Sequence, residues 1–441
     1  MRFSYKFKIN KVSELIKLLI YKSQFLNFIS ILDSNTNSNQ SVLPADYVNY
    51  DLIAGVDALE VLNVDSNCFN SLQKFHEKHR DWLFGYLSYD LKNEVEKLTS
   101  NNHDGINAPA LSFFVPKYVL LLKDDILEIK SYENKEDCQK FLAFQQLDLN
   151  DISNSVDISN SVEFNQRDTK LTYLDKIGVI KNHIQRGDIY EVNYCQEFFS
   201  ENVMLSPQYV FLELNKKSKT PFTSFLKLND LHVMCASPER FIKKSGNKII
   251  SQPIKGTRKR GRNFAEDNAL IKELIESEKE ISENVMIVDL VRNDLSITAS
   301  QASVKVEELC GIYTFKKVHQ MISTISSKVN DDTTFSQILK SVFPMGSMTG
   351  VPKLRAMELI EQLEEFKRGI FSGAIGYITP KGDFDFNVVI RTILYNSTTK
   401  YLSVAVGGAI TIKSDANEEY EECLVKVRPI FEALNFQFDE K

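Results

Sequence analysis

The chain has 441 residues, of which 43% are hydrophobic and 25% are charged. This balance is ordinary for globular proteins, and it excludes a wholly disordered, collagenous or coiled-coil chain while leaving room for two or three domains. Lysine and arginine number 53 against 59 for aspartate and glutamate, which gives a net charge of −6. A protein whose main partner is nucleic acid usually carries the opposite excess, so we predict no nucleic-acid partner.

The N-terminal segment contains no unbroken apolar run that leads to a small-residue cleavage site, so we do not expect a secretion signal. Residues 15–32 are apolar but interrupted by Lys17, Lys22, Gln24 and Asn27, a pattern that predicts an amphipathic helix and not a membrane span. The six cysteines lie far apart without a Cys-x-x-Cys pair, which is typical of buried, reduced thiols. We therefore predict a cytoplasmic protein that does not cross a membrane.

The sequence divides into two parts at a polar segment. Residues 151–156 repeat directly as residues 157–162, and the surrounding composition is rich in aspartate, asparagine and serine. We predict a surface linker over residues 148–168. Residues 1–147 form a predicted N-terminal region that packs on the rest, and residues 169–437 form the predicted main domain.

Hydrophobic periodicity predicts elements of both kinds along the chain. Predicted strands cover residues 112–122, 126–132, 233–236, 248–252, 372–379, 386–395 and 401–411. Predicted helices cover residues 135–146, 268–290, 351–364 and 417–434. Because the order lacks the regular alternation of a doubly wound sheet, we predict a mixed α/β architecture of the α+β type.

Two predicted helices carry carboxylates at helical spacing. Glu280 and Glu283 lie one turn apart on the helix of residues 268–290, and Glu422 lies one turn before Lys426 on the last helix. Such faces are commonly solvated. Two carboxylates from different helices, with water and a substrate oxygen, are also the usual minimal set for Mg²⁺. Glu283 and Glu422 are the candidates for that pair, and both interpretations stay open at this point.

The segment Pro-Ile-Lys-Gly-Thr at residues 253–257 follows a predicted strand and precedes a basic run. One interpretation is a basic surface turn. The other makes Lys255 an amine nucleophile, which requires a neutral amine and therefore a pKa lowered by desolvation or by nearby cations such as Arg258 and Arg260. Glu239, at the end of an earlier strand, would serve as a general acid if burial raises its pKa.

Other segments suit an anionic ligand. Residues 343–353 form a small-residue loop that opens a helix, and the amides at a helix N-terminus bind anions. The loop lacks the Walker spacing, so we do not predict nucleotide binding. Gly256 allows a ligand to approach its backbone closely. Arg391 and Gly408 complete the set, and each has a structural interpretation as well.

Six motifs stand in order in the second half of the chain. They are Gly-Asp-Ile-Tyr-Glu-Val-Asn (187–193), Ser-Pro-Glu-Arg-Phe (237–241), Pro-Ile-Lys-Gly-Thr (253–257), Ile-Val-Asp-Leu-Val-Arg-Asn-Asp (287–294), Gly-Ser-Met-Thr-Gly-Val-Pro-Lys (346–353) and Glu-Glu-x-x-Glu-x-x-x-Lys (418–426). Together they closely resemble the chorismate-utilising enzymes over about residues 170–435. Lysine at position 255 resembles the branch of aminodeoxychorismate synthase component I, because anthranilate and isochorismate synthases typically have alanine there.

The resemblance implies two facing antiparallel β-sheets with helices packed outside and a cleft that binds chorismate and Mg²⁺. Chorismate carries two carboxylates, which explains the need for cationic and amide donors. By analogy Glu283 and Glu422 hold Mg²⁺ on the ring carboxylate, with Glu280 beside them as a catalytic residue. The residues implied to position the substrate are Gly256, Thr257, His319, Ser347, Arg391, Gly408, Ala409 and Lys426.

The resemblance also implies a reaction. Lys255 would attack ring C2 while Glu239 protonates the departing C4 hydroxyl, and ammonia would then add at C4 and expel the lysine. The product would be 4-amino-4-deoxychorismate, for 4-aminobenzoate and folate synthesis. Ammonia would come from a separate glutaminase subunit, because the chain has no Gly-x-Cys-x-Gly motif. The alternatives are an anthranilate or isochorismate synthase and, in another class, a noncatalytic protein that binds chorismate or another anion.

Two positions depart from the family pattern. Glu191 stands where aminodeoxychorismate and anthranilate synthases usually have glutamine and isochorismate synthases have a lysine base. The arrangement of water and ammonia near ring C2 is therefore expected to differ. Ala409 replaces the last glycine of a Gly-x-Gly-like turn, which predicts tighter packing beside a substrate carboxylate while the amide donor remains.

Overall fold

A computed structural model describes residues 1–9, 11–35, 48–143 and 162–436. The predicted linker of residues 148–168 falls mostly outside the described residues, and so does almost all of the tandem repeat. None of the described helices combines the length and the apolar character that a membrane crossing requires.

Strands form the framework, and β-branched and aromatic residues suit their pleated, half-buried surfaces. The twenty strands in the described part of the chain are β1 (Phe3–Lys8), β2 (Phe28–Asp33), β3 (Leu52–Val64), β4 (Leu83–Leu87), β5 (Leu111–Lys123), β6 (Ile126–Ser131), β7 (Asn165–Gln166), β8 (Glu191–Ser200), β9 (Phe222–Leu228), β10 (Leu231–Ser237), β11 (Arg240–Ser245), β12 (Lys248–Gln252), β13 (Ile254–Lys259), β14 (Lys305–Thr314), β15 (Val318–Lys328), β16 (Gly350–Val351), β17 (Ala374–Ile378), β18 (Phe384–Asn387), β19 (Thr392–Asn396) and β20 (Tyr401–Ile410).

These strands pair antiparallel in one continuous network of 20 strands, which forms two sheets joined where the long strands β3 and β5 pair. The first sheet has the order β1-β6-β5-β4-β17-β18-β11-β12-β15, with β13 and β14 beside β15. The second has the order β3-β2-β9-β10-β19-β20-β8, with β7 and β16 beside β8. One core contains Phe84 and Phe386 of the first sheet with Leu226 and Val233 of the second. The predicted pair of facing antiparallel sheets is therefore confirmed.

Helices cover the outer faces of the sheets. A second core lies between the second sheet and apolar faces such as Ile177, Phe211 and Leu424 of three helices. The helices among the described residues are α1 (Val12–Lys22), α2 (Cys68–His79), α3 (Lys92–Val95), α4 (Lys135–Leu142), α5 (Lys170–Arg186), α6 (Pro207–Ser218), α7 (Phe264–Glu276), α8 (Glu278–Ser296), α9 (Phe335–Val342), α10 (Lys353–Leu363) and α11 (Ala416–Ala433).

Two long predicted elements are divided in the structure. The predicted helix over residues 15–32 was wrong beyond Lys22, because β2 follows and is paired on both edges, with β3 and β9. The predicted helix over residues 268–290 is two helices, α7 and α8. They separate at Ser277, whose hydroxyl accepts a hydrogen bond from the backbone N–H of Glu280 and so caps the second helix.

The predicted strand over residues 386–395 is also divided, into β18 and β19. Arg391 lies between them with a φ of 52°, a left-handed conformation that a strand does not accommodate. Arg391 therefore lies outside a strand, and its predicted place inside the strand of residues 386–395 was wrong. The break turns the chain so that this side chain lines a cleft.

Strands from both parts of the sequence share the sheets. β4 of the first part pairs with β17 of the second, and β2 pairs with β9. The described N-terminal residues therefore belong to the same hydrogen-bonded framework as the motifs of the second part. The six cysteines are free, and all except Cys310 are buried.

Candidate active site

A cleft of about 840 Å³ opens beside the ends of β13 and β20 and between α8 and α11. Its size suits a small-molecule ligand, and its walls carry charges of both signs. Of the residues singled out from the sequence, those that line the cleft are Glu239, Lys255, Gly256, Thr257, Arg258, Glu280, Glu283, Ser347, Arg391, Gly408, Ala409, Glu422 and Lys426.

Lys255 is a buried residue on β13, with 9% of its surface exposed. Its Nζ donates a hydrogen bond of 2.7 Å to Oε1 of Glu191 on β8. Burial lowers the pKa of Lys255, but the carboxylates of Glu191 and Glu283 outweigh burial, so the pKa is raised above its ordinary value. The amine is therefore a charged ammonium in this structure, held in place by an ion pair.

The basic run after Lys255 does not lower that pKa, contrary to the sequence-based expectation. Arg258 forms ion pairs with Glu273 at 2.8 Å and with Glu280 at 3.1 Å. Arg260 is paired with Asp267. Because each guanidinium is neutralised by its own carboxylate, neither acts as a free positive charge on the amine.

Glu239 lies in the short link between β10 and β11. Its side chain is buried, and burial raises its pKa to about 7, opposed by the Ser347 hydroxyl and the charge of Lys255. A carboxylic acid with a pKa in this range holds its proton close to neutral pH and can give it to a substrate oxygen.

The opposite wall of the cleft is acidic, and its carboxylates come from α8 and α11. Burial raises the pKa of Glu283 to about 7, whereas the ammonium of Lys426, 2.7 Å away, lowers the pKa of Glu422. Lys279 donates to Glu419 at 3.1 Å and is also close enough to Glu283 and Glu422 for both to raise its pKa. Glu283 and Glu422 therefore line the same cleft and act on the same ammonium, that of Lys279.

These residues fit a magnesium ion that is completed by substrate and water. Oε1 of Glu283 is buried and accepts no hydrogen bond from any described residue, so it has a free lone pair for a cation. Mg²⁺ is commonly held by one or two carboxylates, with waters and substrate oxygens in the other positions. Within the described ranges, no cluster of three or more acidic, histidine or cysteine side chains forms a metal centre by itself.

The backbone beside Lys255 requires glycine. Gly256 has a φ of 90°, and a Cβ there would lie 3.2 Å from the carboxylate of Glu280. Gly256 lines the cleft, and a glycine lets a ligand approach its backbone closely. Thr257 follows in β13, opposite Gln320 of β15.

Two cations, Arg391 and Lys426, also line the cleft. The guanidinium of Arg391 makes no hydrogen bond to the rest of the described chain, and burial lowers its pKa. Lys426 donates to the carbonyl of Gly407 at 2.9 Å. A Cβ on Gly408 would lie 3.2 Å from the carboxylate of Glu419, whereas Ala409 is accommodated on the same strand. A half-buried guanidinium without a hydrogen-bond partner is costly, so Arg391 is suited to bind an anion.

Hydrogen bonds from Arg368 fix the loop that contains Ser347. This side chain is fully buried, pairs with Glu364, and donates to the carbonyls of Met348 at 2.6 Å and Asn193 at 2.8 Å. Asn193 in turn donates its side-chain amide to the carbonyl of Ser347. Charge-assisted bonds of this kind fix a loop more firmly than neutral ones.

His319 does not line the cleft. It is completely buried, with one ring nitrogen at 2.9 Å from the hydroxyl of Thr314 and the other at 2.9 Å from Asp267. Its predicted contact with substrate stays a prediction that this geometry does not favour. The neighbouring Gln320 does line the cleft, and β-strand alternation is the signal that would have found it, since adjacent residues point to opposite faces. Asn193 also lines the cleft and was not predicted to do so.

A family model described as chorismate binding enzyme matches residues 37–432. The chain therefore belongs to this family and is an enzyme that acts on chorismate.

Several curated relatives cover most of the chain. It is 32% identical to an anthranilate synthase component I-like protein of Synechocystis, over 84% of this chain and 76% of the relative. It is 31% identical to aminodeoxychorismate synthase component 1 of Bacillus subtilis, over 81% of this chain and 77% of the relative. It is 32% identical to the Escherichia coli protein of the same name, over 79% of this chain and 76% of the relative.

Solved structures share the fold at lower identity. Anthranilate synthase component I of Streptococcus pneumoniae superimposes with a TM-score of 0.74 at 22% identity, over 89% of this chain and 94% of that one. The menaquinone-specific isochorismate synthase of Escherichia coli superimposes with a TM-score of 0.75 at 14% identity, over 98% of this chain and 94% of that one. These similarities show the fold that was predicted.

Proposed function

We propose that this enzyme is an aminodeoxychorismate synthase component, which converts chorismate and ammonia into 4-amino-4-deoxychorismate. The observation that carries the proposal is a buried lysine, Lys255, in the cleft that also contains the buried acid Glu239. Anthranilate and isochorismate synthases typically have alanine at that position, so their chemistry does not need an amine there. Curated relatives named aminodeoxychorismate synthase support the same choice.

The reaction divides into two displacements. The Lys255 amine forms a bond to ring C2, the two conjugated ring double bonds shift, and the C4 hydroxyl leaves as water with a proton from Glu239. Ammonia then bonds to C4, the two double bonds shift back, and the C2–nitrogen bond breaks to release the lysine. Splitting one difficult substitution in this way is the usual benefit of covalent catalysis.

The remaining cleft residues would bind and orient the substrate. Glu283 and Glu422 would hold Mg²⁺, with Glu280 beside them. When bound, the ion would neutralise the ring carboxylate and offset its repulsion from this acidic wall. The free guanidinium of Arg391 and the ammonium of Lys426 suit the second carboxylate. The glycine-rich backbone around positions 256 and 408 would add amide donors.

Ammonia is proposed to come from a separate glutaminase subunit. The relatives from Bacillus subtilis and Escherichia coli are each named component 1, a name that fits an enzyme with a second component. The chain itself has no Gly-x-Cys-x-Gly segment for a glutaminase nucleophile.

The test is to incubate the purified protein with chorismate, Mg²⁺ and ammonium and to identify the product by mass and ultraviolet absorbance. We expect 4-amino-4-deoxychorismate from the wild type and a loss of at least about 100-fold in the Lys255→Ala variant. Lys272→Ala removes an exposed lysine of α7 and should leave the rate unchanged. Anthranilate or isochorismate as the main product would contradict the proposal.

A further inference from the structure

Glu191 is a buried carboxylate that the proposed reaction leaves without a role. It is 1% exposed, and one of its oxygens accepts the hydrogen bond from Lys255. The other oxygen, Oε2, is also buried, and no described residue donates to it. A carboxylate that served only to hold the lysine would ordinarily have both oxygens satisfied, because a buried unpaired acceptor is costly.

The position of Glu191 is fixed by backbone pairing. Glu191 begins β8 and lies opposite Val351 of β16, while the N–H of Tyr190 donates to the carbonyl of Val351 at 2.7 Å. The residue before Val351, Gly350, approaches so closely that a Cβ would lie 2.2 Å from the Glu191 carbonyl. The carboxylate is therefore presented to Lys255 by rigid elements.

The proposed reaction requires that Lys255 lose a proton, since an ammonium has no lone pair to form a carbon–nitrogen bond. Among the described residues, Glu191 is the side chain that accepts a hydrogen bond from that ammonium. Glu239 is unsuited to accept the proton, because the same step requires it as the donor to the leaving hydroxyl. The proposed step therefore needs two buried carboxylates in opposite roles, Glu191 to accept the Lys255 proton and Glu239 to donate one to the leaving hydroxyl.

We propose that Glu191 is the base that accepts the Lys255 proton as the covalent adduct forms. In the first half-reaction a proton moves from Nζ to Glu191, the nitrogen bonds to C2, and the C4–oxygen bond breaks. Glu239 supplies the proton that releases the hydroxyl as water. Charge is conserved, because Glu191 becomes neutral as Glu239 becomes a carboxylate and the secondary nitrogen stays positive.

The second half-reaction restores both groups. Ammonia bonds to C4, the C2–nitrogen bond breaks with its electron pair on nitrogen, and Glu191 returns its proton to the released amine. The new ammonium at C4 gives a proton to Glu239. Both carboxylates are then ready for another turnover, without any proton taken from solvent. This inference rests on the proposed function and adds a catalytic residue to it.

The test separates binding from chemistry in four proteins: the wild type, Glu191→Gln, Glu191→Asp and Lys255→Ala. Each is mixed with chorismate and Mg²⁺ without ammonium, quenched with acid, and measured by intact-protein mass. The adduct has the mass of chorismate less one water. We expect Glu191→Gln to form it about 100-fold more slowly than the wild type, the size of a lost proton transfer. The affinity for chorismate, measured by calorimetry, should change less than about threefold, which is below 1 kcal/mol.

Glu191→Asp keeps a carboxylate and should form the adduct faster than Glu191→Gln. If position 191 were needed only for packing, the Asp variant would have no such advantage over the Gln variant. Thermal melting of all four proteins controls for folding, and the Asp variant keeps the inference testable if the Gln variant unfolds. If Glu191 only held the ammonium, its removal would leave more neutral amine, so an equal or faster rate in Glu191→Gln would overturn this role alone. A wild type that forms neither adduct nor 4-amino-4-deoxychorismate would overturn the proposed function and the Glu191 role together.

Discussion

Buried carboxylates set the chemistry of the cleft at the scale of single residues. Burial raises the pKa of both Glu239 and Glu283 to about 7 from an ordinary value of 4.5. In each the charged form is disfavoured in the fold, so the native state holds a proton that the unfolded chain releases at lower pH. Their contribution to stability therefore falls as the pH rises between the ordinary value and about 7.

The first prediction concerns the pH dependence of turnover. Glu239 donates its proton only while protonated, so kcat with saturating ammonium should fall as the pH rises through the raised pKa of about 7. A pH–rate profile with the ammonia concentration held constant measures this. A rate that stays level to about pH 9 would contradict the assignment of Glu239 as the acid.

The second prediction concerns the glycine beside the lysine. Gly256→Ala should destabilise the fold by about 1–3 kcal/mol through its positive φ and also raise KM, because the new methyl group meets Glu280. Gly246→Ala is the matched control, since Gly246 also has a positive φ but nothing lies within 4 Å of its Cβ position. Urea unfolding measures the change in stability, and steady-state kinetics measure the change in KM. Equal KM changes in both variants would show that the contact with Glu280 does not cause the KM change.

Many residues of the candidate active site could be predicted from the sequence, because they lie within short motifs. The sequence singled out Lys255, Glu239 and the helical carboxylates, and all of them line one cleft. It could not show that Arg258 is already neutralised by Glu273 and Glu280, because those pairs join different elements. The charged state of the amine depends on such pairs, so it required the structure.

At the scale of elements, the site depends on where helices and strands end. The apolar spacing across residues 268–290 is continuous, and only the capping hydroxyl of Ser277 marks the break between α7 and α8. A serine inside a helical pattern is common, so the pattern alone did not reveal it. The divided strand at Arg391 is similar, because its β-branched sequence gives no sign of a left-handed residue.

The third prediction concerns the ion pair that ties α8 to α10. Lys353 at the start of α10 bonds to Asp294 near the end of α8 at 2.6 Å, and the loop with Ser347 lies between them. Lys353→Met should cost about 1–3 kcal/mol of unfolding free energy, because it leaves a largely buried carboxylate without its partner.

The double variant Asp294→Asn with Lys353→Met should recover part of that loss, because no uncompensated charge remains. Urea unfolding of the two single variants and the double variant measures the coupling. Strictly additive losses would show that the pair does not hold the two helices together.

At the scale of the whole molecule, two sheets share strands from both parts of the chain. The resemblance predicted facing antiparallel sheets correctly, whereas periodicity alone predicted only a mixed α/β chain. Sequence cannot reveal that β4 pairs with β17, because the partners are far apart in the chain. The cleft exists only when this framework brings α8 and α11 together.

The fourth prediction concerns ligand-dependent stability of the complete protein. Chorismate with Mg²⁺ should raise the melting temperature more than chorismate alone, since a ligand that binds only the native state stabilises it. Glu283→Gln should abolish the additional shift. Glu276→Gln, an exposed carboxylate at the end of α7, should keep it. Equal additional shifts in melting temperature in the two variants would show that Glu283 does not hold the metal.

The most direct test of the account is to locate the covalent adduct. Enzyme mixed with chorismate and Mg²⁺ without ammonium is quenched, digested and analysed by tandem mass spectrometry. The account predicts chorismate less one water on the peptide that contains Lys255, and its disappearance when ammonium is added. An enzyme that forms 4-amino-4-deoxychorismate while this peptide stays unmodified, or carries the adduct on another residue, would contradict it.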